Sequence, residues 1–272
     1  MHTRNGLRHT ATTVAAASVL ALTAMIGVHG TASAAPLPAA GGSTAVAPVQ
    51  AGAPSTADSA APGKIPAGFV KTSEGGPKTV DITIDDGPSP QWTPKVLAVL
   101  AQNHAKATFC MIGENAQKYP ALVKEVVAAG DRLCDHSLDH DMSMDKKPAS
   151  YQEREIVQGQ KLVDAAAGGA KSMYYRAPGG AFTAESRQIA AAHGLRPLSW
   201  DIDPRDWSRP GTASIVSKVE GQLEKDGPAK APIVLLHDGG GDRSQTVAAL
   251  QKILPWIKAN GYGFSFPSQT GP

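Results

Sequence analysis

Val80-Asp81-Ile82-Thr83-Ile84-Asp85-Asp86-Gly87-Pro88 is the stretch that decides how the chain is read. Apolar and polar residues alternate from Val80 to Ile84, the period of a β-strand, and the run ends in two adjacent carboxylates and a Gly-Pro breaker. The breaker stops the strand where the acids emerge, so the two side chains leave its C-terminal end on different sides. One can bind a cation while the other remains free to take a proton. Alone, Asp-Asp-Gly-Pro is ordinary turn composition, and its meaning depends on the residues at the ends of the other strands.

On the C-terminal side, short apolar runs alternate with helical periods to the end of the chain. Further strands are expected at 107–112, 132–135, 172–175, 196–200, 233–236 and 262–266. Helices are expected at 93–102, 121–129, 150–167, 185–193, 213–223 and 245–259. Gly130 closes the second of these as a C-cap, and Ser150-Tyr151-Gln152-Glu153 reads as a capping box opening the third. Strands alternating with helices imply an α/β fold with parallel strands, and about seven of them suggest a distorted or incomplete (β/α)7 barrel. Residues 76–272 are expected to form this single catalytic domain.

On the N-terminal side, residues 35–75 are rich in Ala, Pro, Gly, Ser and Thr without apolar period, the composition of a disordered linker. Residues 1–34 read as a secretory signal peptide. Arg4 and Arg8 precede an apolar stretch from Val14 to Val28, too short to span a bilayer comfortably, and Ala32-Ser33-Ala34 supplies a cleavage site. The protein is therefore expected to be secreted, extracellular or cell-wall associated, with no membrane span after cleavage. The formal charge of +2 includes Arg4 and Arg8, so the mature chain is close to neutral. Without a long basic run, nucleic acid is excluded as a partner. The only cysteines are Cys110 and Cys134. In an exported protein such a pair favours a disulfide, the alternative being two buried free thiols; no CxxC spacing points to a thiolate metal site.

In a (β/α) barrel all strand C-termini meet at one face, so polar clusters far apart in sequence converge there. His136-Ser137-Leu138-Asp139-His140 follows the third strand. Two histidines four apart share one face if the segment makes a helical turn, and with Asp86 they complete a His₂Asp set with open positions, as a catalytic zinc needs. Tyr175-Arg176-Ala177-Pro178-Gly179-Gly180 follows the fourth strand, Asp201-Ile202-Asp203-Pro204-Arg205-Asp206-Trp207 the fifth, and His237-Asp238 the sixth. His104 and His193 close helices and are assigned no chemistry.

These clusters resemble, in order, the five motifs of the polysaccharide deacetylases (carbohydrate esterase family four). The matching residues are Thr83-Ile84-Asp85-Asp86-Gly87-Pro88, His136-Ser137-Leu138-Asp139-His140, Arg176-Ala177-Pro178, Asp203-Pro204-Arg205-Asp206-Trp207 and Leu235-Leu236-His237. The resemblance covers about residues 78–266. It implies that Asp86, His136 and His140 hold a divalent metal, zinc first, that polarises an acetyl carbonyl and acidifies a bound water. It implies Asp85 as general base, Arg176 as its partner, and His237 as the acid that protonates the departing amine. Asp203 would orient His237, Gly179 would offer a backbone N–H to the oxyanion, and Trp207 and Leu235 would wall a pocket for the acetyl methyl. Two positions depart from the family pattern: Ile84 replaces an aromatic before the acid pair, and Gly179 stands where many members carry an aromatic.

The function expected is removal of acetyl groups from N-acetylglucosamine-containing glycans, peptidoglycan or chitin-type oligosaccharides, by a monomer. The alternative within the family is an acetylxylan esterase. Outside it stand a non-haem iron oxygenase, which also uses two histidines and a carboxylate, and a non-catalytic carbohydrate-binding protein.

Overall fold

β1 (Thr79–Asp85) pairs with three neighbours, β2, β6 and β7, in a seven-stranded parallel sheet. Its outward side chains, Val80, Ile82 and Ile84, are fully buried in the main apolar cluster beneath the helices. Its inward side chains, Asp81, Thr83 and Asp85, are polar and equally hidden. The computed structural model describes residues 65–270 of the chain, so the signal-peptide reading lies outside the described residues.

The remaining strands are β2 (Ala107–Met111), β3 (Arg132–Asp135), β4 (Ser172–Tyr175), β5 (Arg196–Pro197), β6 (Ile233–His237) and β7 (Gly263–Phe264). Their order is β5-β4-β3-β2-β1-β6, with β7 beside the start of β1. Among the described residues, seven helices cover the sheet: α1 (Thr93–Gln102), α2 (Gly113–Lys118), α3 (Pro120–Ala128), α4 (Ala149–Ala166), α5 (Ala184–Ala192), α6 (Thr212–Asp226) and α7 (Ser244–Ala259). The expected (β/α)7 barrel is thus present and incomplete. Past β5, the wall continues to β6 only through the Ile202–Val234 bridge.

Register sets up the site. Asp85 pairs with His237 on β6 and with Cys110 on β2, and Cys110 pairs with Cys134 on β3. The two cysteines form a disulfide, fully buried inside the barrel with Tyr174 and Leu198.

Three local expectations are corrected. The strand expected at 196–200 pairs only at Arg196–Pro197, because the Leu198 and Ser199 carbonyls accept from the buried Arg176 guanidinium. No capping box opens α4. Pro148 is its N-cap, without a side-chain bond, and its fixed φ starts the helix directly. A capping box does stand at α5, where Thr183 and Ser186 exchange side-chain-to-backbone bonds of 2.9 Å each. Finally, residues 65–75 are not all linker. Val70 is buried and its N–H donates to Pro197 O, and Ser73 bonds Asp81 at 2.8 Å.

Candidate active site

Asp85 ends β1 inside the barrel mouth, with Arg176 just beyond β4. Both are buried, and Arg176 Nη1 lies 2.6 Å from Asp85 Oδ1. The same nitrogen donates to Thr83 Oγ1 at 2.8 Å, while Nε and Nη2 donate to the carbonyls of Leu198 and Ser199. Every edge of the guanidinium is fixed, which a buried ion pair needs to offset its desolvation. Asp85 Oδ2 faces the cavity, 3.7 Å from His136 Nε2.

Asp86, the next residue, turns away with φ of 75°, a left-handed backbone uncommon outside glycine. His140 Nε2 lies 3.2 Å and His136 Nε2 3.5 Å from its Oδ1, and one atom from each of the three residues falls within 4.8 Å of the others. The histidines do not share a helical turn. Ser137 and His140 both have φ of 67°, and the Ser137 and Leu138 carbonyls accept from the first amides of α2. That docked loop, not helical periodicity, points both rings at Asp86. Gly159 in α4 permits the approach, since a Cβ there would lie 2.6 Å from the Ser137 carbonyl carbon.

The three side chains fit a divalent cation by two independent observations. Asp86 Oδ1 is buried with no hydrogen-bond partner, an acceptor left for something else. His136 Nδ1 sits 2.7 Å from the Arg176 carbonyl, so it carries the proton and Nε2 presents a lone pair toward Asp86.

Across the cavity, His237 ends β6. Its orienting carboxylate is Asp206, not Asp203. Asp206 Oδ1 lies 2.7 Å from His237 Nδ1, and Oδ2 accepts from the His237 N–H at 2.9 Å and Thr246 Oγ1 at 2.7 Å. Asp203 instead spends its carboxylate on the Arg205 N–H at 2.7 Å, closing its own turn. Burial would lower the His237 pKa, but the Asp206 hydrogen bond and charge, with Asp85 and Asp86 beyond, push it up to about 9. The imidazole is therefore charged at neutral pH, with Nε2 left as a donor.

These groups line one cavity of about 390 Å³, with Gly179, Trp207, Leu235 and Asp203 also on its wall. Arg176 supports the wall from behind. The sequence reading passed over Met142, Trp200 and Arg243, which line the same cavity. Asp238, given no role by the sequence reading, accepts from Thr93 Oγ1 at 2.5 Å behind Gly87. The neighbouring tryptophan could have pointed to Asp206, since both lie on one short turn at residues 206–208.

Residues 72–198 match the family described as polysaccharide deacetylase. A peptidoglycan-N-acetylglucosamine deacetylase of Bacillus cereus is 41% identical over 189 residues, covering 69% of this chain and 85% of the relative. The chain belongs to the polysaccharide deacetylase family. A chitooligosaccharide deacetylase of Azorhizobium caulinodans is 33% identical over 195 residues, 68% of this chain and 90% of that one. The Bc1960 peptidoglycan N-acetylglucosamine deacetylase, solved in complex with an N-oxidanyl-benzamide, superposes with a TM-score of 0.66 at 28% identity. It covers 75% of this chain and 94% of that structure. The distorted barrel of this deacetylase is therefore the family's fold, and its activity is hydrolysis of an acetyl amide on a polysaccharide. The family is metal-dependent, and Asp86, His136 and His140 are where this member could hold the ion.

Proposed function

We propose that the enzyme removes N-acetyl groups from N-acetylglucosamine residues of peptidoglycan or chitin-type oligosaccharides, with zinc held by Asp86, His136 and His140. The observation that carries this reading is the pair of opposite partnerships across one cavity. A carboxylate held by a guanidinium faces an imidazolium held by a carboxylate, with the candidate metal residues between them. The His₂Asp donor set suits zinc. A bound zinc ion would supply Lewis-acid polarisation of the acetyl carbonyl and a water of lowered pKa.

The chain's own groups supply the rest. Asp85 Oδ2 accepts the proton of the attacking water, because Oδ1 is occupied by Arg176 and only Oδ2 faces the reacting space. His237 donates its proton from Nε2 to the departing amine nitrogen, a step an amide needs because an amide anion leaves poorly. Asp206 keeps that imidazole charged and aimed. The Gly179 N–H offers a hydrogen bond to the oxyanion, and Trp207 and Leu235 enclose the acetyl methyl. Export is part of the same proposal. The leader-like residues 1–34 and a buried disulfide both suit an oxidising compartment, and among the described residues no helix is long and apolar enough to cross a membrane.

Acetate release tests the reading. Zinc-loaded protein, before and after chelation, is offered chitooligosaccharides, peptidoglycan and acetylxylan in parallel. Chelator-sensitive release from the N-acetylated glycans, restored by zinc, is the expected result. Release from acetylxylan alone would move the assignment to an esterase, and release insensitive to chelation would remove the metal from the mechanism.

A further inference from the structure

Among the described residues, only two large apolar side chains are strongly exposed: Met142 at 60% and Trp207 at 45%. Single exposed hydrophobics are common and need no explanation. These two, however, line the same cavity over the candidate active site. Exposed apolar side chains on the wall of the cavity that holds the catalytic groups mark a surface that a ligand covers.

Met142 lies two residues past His140, and its side chain reaches the turn at Pro178–Gly180. A Cβ placed on Gly179 would lie 2.6 Å from Met142 Cε and 3.1 Å from Sδ. The thioether therefore occupies the volume that a side chain at position 179 would take. Gly179 has φ of 59°, a conformation that disfavours residues with a Cβ. A wall at this place must then come from elsewhere in the chain, and Met142 supplies it.

We propose that Met142 is a specificity-determining residue of this enzyme. It provides, on the wall of the catalytic cavity, an apolar contact for the C–H face of a pyranose ring in the N-acetylated oligosaccharide. A flexible thioether can adapt to ring substituents that a rigid side chain would reject. The identity of the sugar rests on the deacetylase reading; the contact itself rests on Met142's exposure and position.

The test compares the unaltered protein with Met142→Ala and Met142→Leu. Acetate release is measured with tetra-N-acetylchitotetraose and with 4-nitrophenyl acetate, which has no pyranose ring. Tetrasaccharide binding is measured by calorimetry with the same substitutions in an Asp85→Asn background. Met142→Ala should raise KM and Kd for the tetrasaccharide about fivefold to tenfold. Its kcat, and its rate on the small ester, should stay within about twofold, and Met142→Leu should restore binding. Unchanged tetrasaccharide KM and Kd, or equal losses on both substrates, would overturn the assignment. If the unaltered protein bound the tetrasaccharide but released no acetate, the deacetylase reading would fail, and the Kd comparison would still decide the role of Met142. No tetrasaccharide binding at all would overturn both.

Discussion

Strand β1 carries Asp81 near the closed end of the barrel and Asp85 at its mouth. Four residues apart in a strand, the two side chains leave on the same inward face. Asp85 meets Arg176 at 2.6 Å, and all three guanidinium nitrogens donate hydrogen bonds. Asp81 meets a neutral hydroxyl, Ser73 Oγ, at 2.8 Å, and its second oxygen has no partner. Burial pushes the Asp81 carboxyl up to about 7 despite that hydrogen bond, so it keeps its proton at mildly acid pH. The two ends of one strand thus show what a fixed cation does. With one, a buried carboxylate can serve as a base; without one, it is a neutral group packed under a plug of chain.

That plug is residues 65–75 with the C-terminal stretch. Glu74 and Arg132 pair through two contacts of 2.7 Å, and Tyr174 donates to the Pro267 carbonyl at 2.5 Å. The closed end is built for stability. Positive-φ residues cluster at the open end, at Asp86, Ser137, His140 and Arg205, although Lys78 just before β1 has one too.

The contrast can be broken most severely at the open end. Asp85→Asn should lower turnover about 10³–10⁴-fold while oligosaccharide binding persists, checked by acetate release and calorimetry. Retained turnover would mean that Asp85 is not the base.

Asp206→Asn should lower kcat about 10²-fold and move the alkaline limb of the pH–rate profile. Protonated His237 is the active form, so activity is expected up to the region of its pKa of about 9. Loss of the carboxylate should drag that limb downward, toward the 6.5 of ordinary histidine. Asp203→Asn is the control and should leave the limb in place. If the Asp203 change moves it and the Asp206 change does not, the assignment of partners is wrong.

The smallest effect belongs to the closed end. Asp81 titrates near 7 when folded and near 3.8 in its ordinary state, so its contribution is fully present below about pH 4 and is lost as pH rises through 7. Asp81→Asn should flatten that fall, leaving the variant more stable than the parent at pH 8 by about 2 kcal/mol. Acetate release should not change. Denaturant unfolding at pH 5 and pH 8 measures the first, and an unaltered pH slope would refute it.

The positions of β2, β3 and β4 were legible because those strands are short and bounded by polar clusters. Ser172–Tyr175 and Arg132–Asp135 fall where the pattern puts them. The motif residues at Asp85, Asp86, His136, His140 and His237 were legible as candidates because each ends a strand or lies within a few residues of its end, and parallel strands must deliver their ends to one face. The α4 capping box failed because Pro148 starts that helix on its own. The helical turn at His136–His140 failed because left-handed residues built a loop instead.

The alternating pattern of apolar runs by itself determined an α/β barrel, and the order of its polar clusters determined the family. The motif resemblance put Asp203 on His237, and the sequence could not show that Asp206 reaches it instead. The two aspartates lie three residues apart, and the choice depends on where the 206–208 turn lands against β6 and Thr246. Nor could the sequence place Met142 over Gly179, or close the barrel's base with residues 65–75. Those contacts join segments distant in sequence, through side-chain directions that local periodicity does not encode. Only packing of the folded chain decides them.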